Sequence, residues 1–167
     1  MSHKIIISQF LNISSSELFG YFTDAHLLEK WSSSNGMMVR VPRFKAVKGG
    51  RYRFEFTSAD GTLVQEGHIR RITENHHIRM MDDEISGPRS HRIARKVQCD
   101  ISFRSIDKGA EVTILQSGFQ STELARECEE TWKQCLNQLK DLVKDSGPKQ
   151  FRPQKDRTGD MNVVSNL

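Results

Sequence analysis

Glu66 and His68 are the side chains whose types and spacing come nearest to acid/base chemistry. They lie two positions apart in a stretch that reads as a β-strand, so both face the same side of it. A carboxylate and an imidazole held together in a cleft can exchange protons with a substrate. Because charged side chains are rarely buried, the sequence favours a solvent-facing pair over a catalytic one.

The cysteines and histidines do not have the spacing of a metal site. Cys128 and Cys135 are two helical turns apart, which is about 10.5 Å along a helix and too far for joint ligands. His76 and His77 are adjacent and point to opposite faces of a strand or turn. With Cys99, the cysteines are predicted to be buried free thiols, typical of a reducing compartment.

Other catalytic and cofactor motifs are absent from the sequence. It contains no GxSxG elbow, phosphate loop, HExxH motif or dinucleotide fingerprint. We therefore expect no metal and no cofactor, and we favour a non-catalytic protein over an enzyme.

The formal charge of +4 does not point to nucleic acid. Half of it lies in residues 147–167, so the rest of the chain is nearly neutral for its size. The basic cluster "PRSHRIARK" at 88–96 has no aromatic residues on which bases could stack, and we interpret it as a solvated loop. No apolar run approaches the ~18 residues that span a bilayer, and no secretory leader is present, so a cytoplasmic protein without membrane insertion is expected.

The elements that must position the candidate residues begin with a strand and two short helices. "KIIISQFLNI" reads as a strand. Ser14 followed by Glu17 forms a capping-box pattern that starts a helix. Asp24 can cap a second short helix that runs to Trp31, where "SSSNG" breaks the chain.

From residue 37 the apolar period changes to two, which predicts strands. In "RYRFEF" the residues Tyr52, Phe54 and Phe56 share one face. "TLVQEGHIRRI", "HIRMM", "KVQCDISF" and "AEVTILQSGF" follow with turn residues between them, which favours an antiparallel meander. Gly67 predicts a bulge or a strong bend in the sheet.

The stretch 117–145 reads as one long amphipathic helix with Trp132 on its apolar face. The apolar stripe and the apolar sheet face must cover each other, so this helix is predicted to lie across the bent sheet. The fold class is therefore α+β, with one domain at residues 1–146. Residues 147–167 lose all periodicity and are predicted to be a disordered basic tail.

Five segments in this order resemble one family. They are "SSSELFGYFTDAHLLEKW" at 14–31, "GGRYRFEF" at 49–56, "GHIRRI" at 67–72, "LQSGF" at 115–119 and the final Trp-bearing helix. Together they resemble the homologues of the activator of the heat-shock protein 90 ATPase, within the START-like helix-grip (SRPBCC) superfamily. The resemblance implies a sheet of about seven antiparallel strands that grips the long helix, with a cleft between them.

Two positions depart from the family pattern. Many members carry paired tryptophans where this chain has Trp31 and Ser32, and a glycine where it has Thr131 before Trp132. The resemblance implies that both changes lie at the cleft and alter what it can hold.

The cleft that the resemblance implies leads to three hypotheses about function. The preferred one is a non-catalytic protein that binds a small apolar or aromatic ligand. The alternatives are a protein-interaction module related to chaperone ATPase activators and, third, a cyclase- or hydrolase-like enzyme. The aromatic residues can equally be ordinary core, which leaves the cleft filled. The candidate cavity residues are Trp31, Tyr52, Phe54, Phe56, Val97, Cys99, Ile101, Cys128, Trp132 and Leu136.

Overall fold

The computed structural model describes residues 3–33, 36–88 and 97–150, the last six of these by their backbone alone. Most of the basic cluster at 88–96 and the tail residues 151–167 lie outside the described residues. The strands are β1 (His3–Leu11), β2 (Met38–Phe44), β3 (Arg51–Ser58), β4 (Gly61–Thr73), β5 (His77–Ser86), β6 (Gln98–Ile106) and β7 (Gly109–Phe119). The helices are α1 (Ser15–Thr23), α2 (Ala25–Trp31) and α3 (Thr122–Gln150).

The predicted α+β helix-grip architecture is confirmed. The strands form one seven-stranded sheet in the order β1-β7-β6-β5-β4-β3-β2, and every neighbouring pair is antiparallel. From β2 to β7 each strand pairs with the next along the chain, as short turns require. β1 is the edge strand beside β7, so the first and last strands of the chain are neighbours.

Irregular pairing occurs at Gly67, where the sequence predicted a bulge or bend. The register between β4 and β5 shifts at Glu66/Gly67 and again at Ile69/Arg71. Asp83 of β5 is the extra residue at the first shift and Arg70 of β4 at the second, so each strand has one irregularity, which adds local twist. Gly67 is required because a Cβ there would collide with the carbonyl oxygen of Met81 and the hydroxyl of Tyr52.

The two short helices are joined at Asp24, which ends α1 and caps α2. Its backbone N–H donates to the carbonyl of Gly20 (3.1 Å), and its carboxylate accepts from the N–H of Leu27 (3.1 Å). At the start of α1, the predicted capping box of Ser14 and Glu17 is present. These contacts hold the junction between the two helices, and Trp31 is the last residue of α2.

The long helix begins five residues later than the sequence indicated. Residues 117–119 complete β7, and Ser121 caps α3 by accepting from the backbone N–H of Leu124 (3.1 Å). The prediction of a helix from 117 was wrong because the pairing of β7 with β1 and β6 extends to that point. At its other end α3 continues to Gln150, four residues into the predicted tail.

The apolar face of α3 is buried against the sheet and the short helices. Its fully buried residues include Leu136 (2% exposed) and Leu139 (0%), while Lys140 is exposed. Gln138 joins α3 to the end of α2 by accepting from the hydroxyl of Ser33 (3.1 Å). Among the described helices, none combines the length and apolar composition needed to cross a bilayer.

Candidate ligand cavity

A cavity of about 190 Å³ remains between the sheet, α3 and the short helices. Most of its surface is apolar or aromatic, and part of it opens to solvent. The lining residues are Phe22, Leu28, Trp31, Ser32, Phe44, Tyr52, Phe54, Phe56, Gln65, Met80, Asp82, Cys99, Ile101, Gln116, Cys128, Thr131, Trp132 and Cys135.

The sheet side of the cavity is an aromatic wall formed by β2 and β3. The ring centroids of Phe44 and Tyr52 are 6.1 Å apart, and those of Tyr52 and Phe54 are 5.9 Å apart. Phe56 stacks on Phe54 at 6.1 Å. Strict alternation along β3 places Tyr52, Phe54 and Phe56 on this face, and each contacts the next, so the wall is continuous.

The two tryptophans form the helical side. Their rings are 6.5 Å apart, with Trp31 buried at the end of α2 and Trp132 half-buried on α3. The indole N–H of Trp31 donates to the carbonyl of Tyr21 (2.9 Å), and the Trp31 ring packs on Phe22 at 4.7 Å. Trp31 is therefore fixed by the core, whereas Trp132 lines the cavity nearer its solvent side.

Gln116 on β7 orients the α3 side of the cavity. Its side-chain oxygen accepts from the indole N–H of Trp132 (2.8 Å) and from the thiol of Cys128 (3.1 Å). Because an indole nitrogen can only donate, the Gln116 atom that contacts Trp132 must be the amide oxygen. The NH₂ group of Gln116 therefore points away from Trp132. Gln116 is 9% exposed, so it is a buried polar group in an otherwise apolar layer.

Asp82 on β5 is the buried carboxylate of the cavity, with 4% of its surface exposed. It accepts from the Tyr52 hydroxyl (2.7 Å) and from the side-chain nitrogen of Gln65, 2.8 Å from one oxygen and 2.9 Å from the other. Burial raises the pKa of Asp82, an effect that the two hydrogen bonds oppose and the nearby charge of Asp83 reinforces. Burial likewise raises the pKa of the Tyr52 phenol, which stays protonated as the donor.

The thiols in the wall are not poised to act as nucleophiles. Burial raises the pKa of Cys128 and of Cys135 to about 12, and raises that of Cys99 well above its usual value. All three are free cysteines. Since the thiolate is the reactive form, these side chains act here as small apolar groups.

The structure places nearly all the predicted cavity residues at the cavity. Trp31, Tyr52, Phe54, Phe56, Cys99, Ile101, Cys128 and Trp132 all line it. Val97 and Leu136 are buried (3% and 2% exposed) but are not among the lining residues. Val97 instead ties the end of β5 to the start of β6, since its carbonyl accepts from the backbone N–H of Asp82 (3.0 Å).

Glu66 and His68 lie on the other face of the sheet, away from the cavity. Glu66 pairs with Arg53 (2.9 Å), and His68 pairs with Asp83 (2.8 Å). Each is about one-third exposed. Both side chains therefore make ordinary surface contacts, and neither lines the cavity.

Sequence reasoning missed the polar residues of the cavity, namely Gln65, Asp82 and Gln116. A signal was present: Asp82 shares strand parity with Ile78 and Met80, and Gln116 shares it with the apolar residues before it in β7. When the alternating inward positions of a strand are apolar and the next one is polar, that residue either marks the end of the buried face or has a function inside it.

Both departures from the family pattern lie in the cavity wall, since Ser32 and Thr131 are lining residues. Each is half-buried. Among the described residues, no group of three or more His, Cys, Asp or Glu side chains is arranged to hold a metal ion.

Comparison with known proteins is consistent with the described fold and with the family that the sequence resembles. The profile of a family described as "Activator of Hsp90 ATPase homolog 1-like protein" matches residues 12–144. A sequence comparison with curated proteins finds no match. Among solved structures, a Chromobacterium violaceum protein is 25% identical with a TM-score of 0.74, covering 84% of this chain and 96% of its own. An Arthrobacter aurescens protein is 14% identical with a TM-score of 0.73, covering 92% of both chains.

Proposed function

The chain belongs to the Activator of Hsp90 ATPase homolog 1-like family, and on this premise we propose that it binds a small apolar or aromatic ligand in the cavity between sheet and α3. The observation that carries the proposal is the unfilled volume of about 190 Å³ behind an aromatic wall. An engineered apolar cavity of about 150 Å³ is enough to bind benzene in another protein. A ligand of one or two rings therefore fits the space.

The composition of the cavity wall supports binding rather than catalysis. Ligand sites are mostly apolar with a small number of placed polar groups, which Asp82, Gln65 and Gln116 supply here. Within the described part of the chain, the cavity lining contains no histidine, lysine or arginine that could act as a base or stabilise an oxyanion. The described lining therefore favours the binding hypothesis over the enzyme hypothesis.

Titration with benzene, indole and naphthalene tests the proposal, with the indole N–H signal of Trp132 as the NMR readout. We expect a saturable shift of that signal and a rise in melting temperature that grows with ligand concentration. Native mass spectrometry of the gently purified protein would show in addition whether a ligand is retained. If none of the three compounds shifts the Trp132 signal saturably, the proposed function is wrong.

A matched pair of α3 variants separates cavity binding from surface adsorption. Cys128→Phe places a ring in the cavity wall, and Leu124→Phe places the same ring one turn earlier at a half-buried residue that is not in the lining. We expect Cys128→Phe to weaken binding by on the order of tenfold or more, because the ring occupies the ligand's space. Leu124→Phe should retain wild-type affinity.

A second candidate function, binding of a protein partner, is favoured by the loop between β2 and β3. Arg43, Lys45, Lys48 and Arg51 line an open groove there of about 380 Å³, beside the exposed apolar side chain of Val47. Such a surface attracts an acidic segment. A poly-glutamate peptide should bind in low salt and lose affinity in Lys45→Glu/Lys48→Glu, and absence of binding in low salt would remove this candidate.

A further inference from the structure

Asp82 is a buried acid whose charge no described residue of the cavity lining neutralises. Its contacts come from two neutral donors, the Tyr52 hydroxyl and the Gln65 amide. One carboxylate oxygen accepts from both, at 2.7 and 2.8 Å, whereas the other accepts from Gln65 alone at 2.9 Å. A carboxylate offers about four acceptor positions, so the second oxygen has capacity for a further donor.

Among the residues that the structure describes, the titratable groups near Asp82 do not include a cation. They are Tyr52 on β3, Asp83 beside it on β5, Cys99 on β6 and Cys128 on α3, together with the neutral Gln65 on β4. Tyr52 and both thiols stay neutral, and Asp83 adds repulsion. An isolated buried charge is costly, and a cation brought into contact with it offsets that cost.

The walls around this acid are the kind that attract organic cations. The ring of Tyr52, whose hydroxyl contacts Asp82, is 5.9 Å from Phe54 and 6.1 Å from Phe44. Trp132 lines the same cavity. Aromatic faces carry negative potential and bind ammonium groups within about 6 Å of a ring centroid, so rings and carboxylate favour the same sign of ligand charge.

We propose that the cavity selects an aromatic amine in its cationic form, whose ring lies against the aromatic wall and whose ammonium group donates to the free acceptor position of Asp82. This inference rests on the proposed function, since it assumes that the cavity is a ligand site. It adds the chemical class of the ligand: one or two rings carrying a protonated nitrogen. Neutral aromatic compounds of the same shape should bind more weakly, and carboxylates should be rejected.

Benzylamine and ethylbenzene test the charge preference because the two molecules have nearly the same shape and differ in the cationic nitrogen. Both are titrated at neutral pH into the full-length protein, with phenylacetate as the anionic counterpart, and the Trp132 indole signal is followed. We expect benzylamine to bind on the order of tenfold or more tightly than ethylbenzene, as a hydrogen bond to a charged group contributes. Phenylacetate should not bind measurably.

Two carboxamide variants test whether Asp82 is the group that causes the preference for the cationic ligand. Asp82→Asn keeps the shape of the side chain and removes its charge, so benzylamine should lose its advantage while ethylbenzene binds as before. Asp83→Asn is the control, since Asp83 is the next residue of β5, is more exposed and faces away from the cavity to pair with His68. It should leave the preference intact.

The wild-type comparison alone decides the inference, so it does not depend on the folding of either variant. If ethylbenzene binds as tightly as benzylamine, or more tightly, the amine inference is wrong and the proposed function stands. If neither compound binds, the proposed function fails. If benzylamine is preferred in wild type and equally in a folded Asp82→Asn protein, Asp82 is not the selecting group and the inference is overturned.

Discussion

Gly67 illustrates at the scale of one residue how an absent side chain makes room for the cavity wall. Any Cβ at this position would collide with the Met81 carbonyl and with the Tyr52 hydroxyl that donates to Asp82. Tyr52 reaches the Asp82 carboxylate because Gly67 of β4 has no side chain at the place where the Tyr52 ring ends. The site therefore depends on a residue that does not line it.

We predict that Gly67→Ala lowers the free energy of unfolding by about 2 kcal/mol or more, because the backbone of β5 and the Tyr52 ring must both move. Urea denaturation measures the effect. Gly20→Ala is the control: it lies inside α1, a Cβ there meets no atom within 4 Å, and it should stabilise by about 0.5–1 kcal/mol. A Gly67→Ala protein as stable as wild type would contradict the predicted collision.

Asp82 should make the protein less stable as pH rises. Burial, opposed by hydrogen bonds and reinforced by Asp83, holds its folded-state pKa above the ordinary 3.8, so the folded chain binds more protons than the unfolded one between those two values. Stability contributed by protonated Asp82 is present below pH 3.8 and is lost as pH rises through the folded pKa. Asp82→Asn should therefore gain stability relative to wild type between pH 4 and pH 7, measured by urea denaturation at each pH.

Asp100 provides a control of opposite sign on the other face of the sheet. Burial opposes its charge, but hydrogen bonds from Arg79, Gln98 and His77 outweigh burial and lower its pKa. Its contribution is therefore present above pH 3.8 and is lost as pH falls through the folded pKa, so Asp100→Asn should cost most at neutral pH. Parallel pH profiles for the two variants would contradict at least one of the two assignments.

At the scale of elements, α3 both stabilises the fold and forms one wall of the cavity. The two roles lie on different parts of the helix. Trp132 and Cys128 contact Gln116 beside the cavity, whereas Leu139 and Val143 further along are buried in the core (0% and 4% exposed). Stability and the proposed ligand binding can therefore be changed separately on one helix.

We predict that Leu139→Ala costs about 2–5 kcal/mol of unfolding free energy, the usual range for truncating a fully buried leucine. Ligand affinity of the folded fraction should change by less than about threefold, because Leu139 is not in the cavity lining. Denaturant unfolding and the Trp132 titration measure the two quantities. Lys140→Ala, its exposed neighbour, should change stability by less than about 0.5 kcal/mol.

The strands and helices were predictable from the sequence because apolar period and capping residues are local signals. The alternation of Tyr52, Phe54 and Phe56 fixed the inward face of β3, and Ser14 with Glu17 fixed the start of α1. The start of α3 was not predictable, since strand pairing beyond Gln116 competes with the helical pattern in the same residues.

The aromatic wall was predictable from the same signals, but the polar part of the cavity was not. Asp82 and Gln65 are of residue types that normally face water, so composition assigns them to the surface. Asp82 shares strand parity with Ile78 and Met80, but parity alone does not distinguish the end of the buried face from an inward-facing acid; that depends on how β5 pairs with its neighbours. The remaining volume depends on how side chains pack, which periodicity does not encode.

At the scale of the whole molecule, the described fold is completed within α3. Among the described side chains of that helix, the last buried one is Val143 (4% exposed), and the family match ends at residue 144. The domain proposed at residues 1–146 therefore contains every side chain of the described core.

We predict that a chain ending at Gln150 unfolds with the same free energy as the full chain, within about 0.5 kcal/mol, because it keeps that core. Thermal and urea denaturation provide the measurement. A chain ending at Glu130 lacks Leu136 and Leu139 and should not fold. A loss above about 1 kcal/mol in the longer chain would show that residues 151–167 stabilise the domain.

Ser32 and Thr131 have a consequence for how such proteins diverge. Both stand in the cavity wall and are only half-buried, so they can be exchanged at little cost to the core. Descendants of one ancestor can therefore accumulate different residues at these positions, changing what they hold while the architecture is inherited intact. Membership of this family should therefore predict the fold well and the bound ligand poorly.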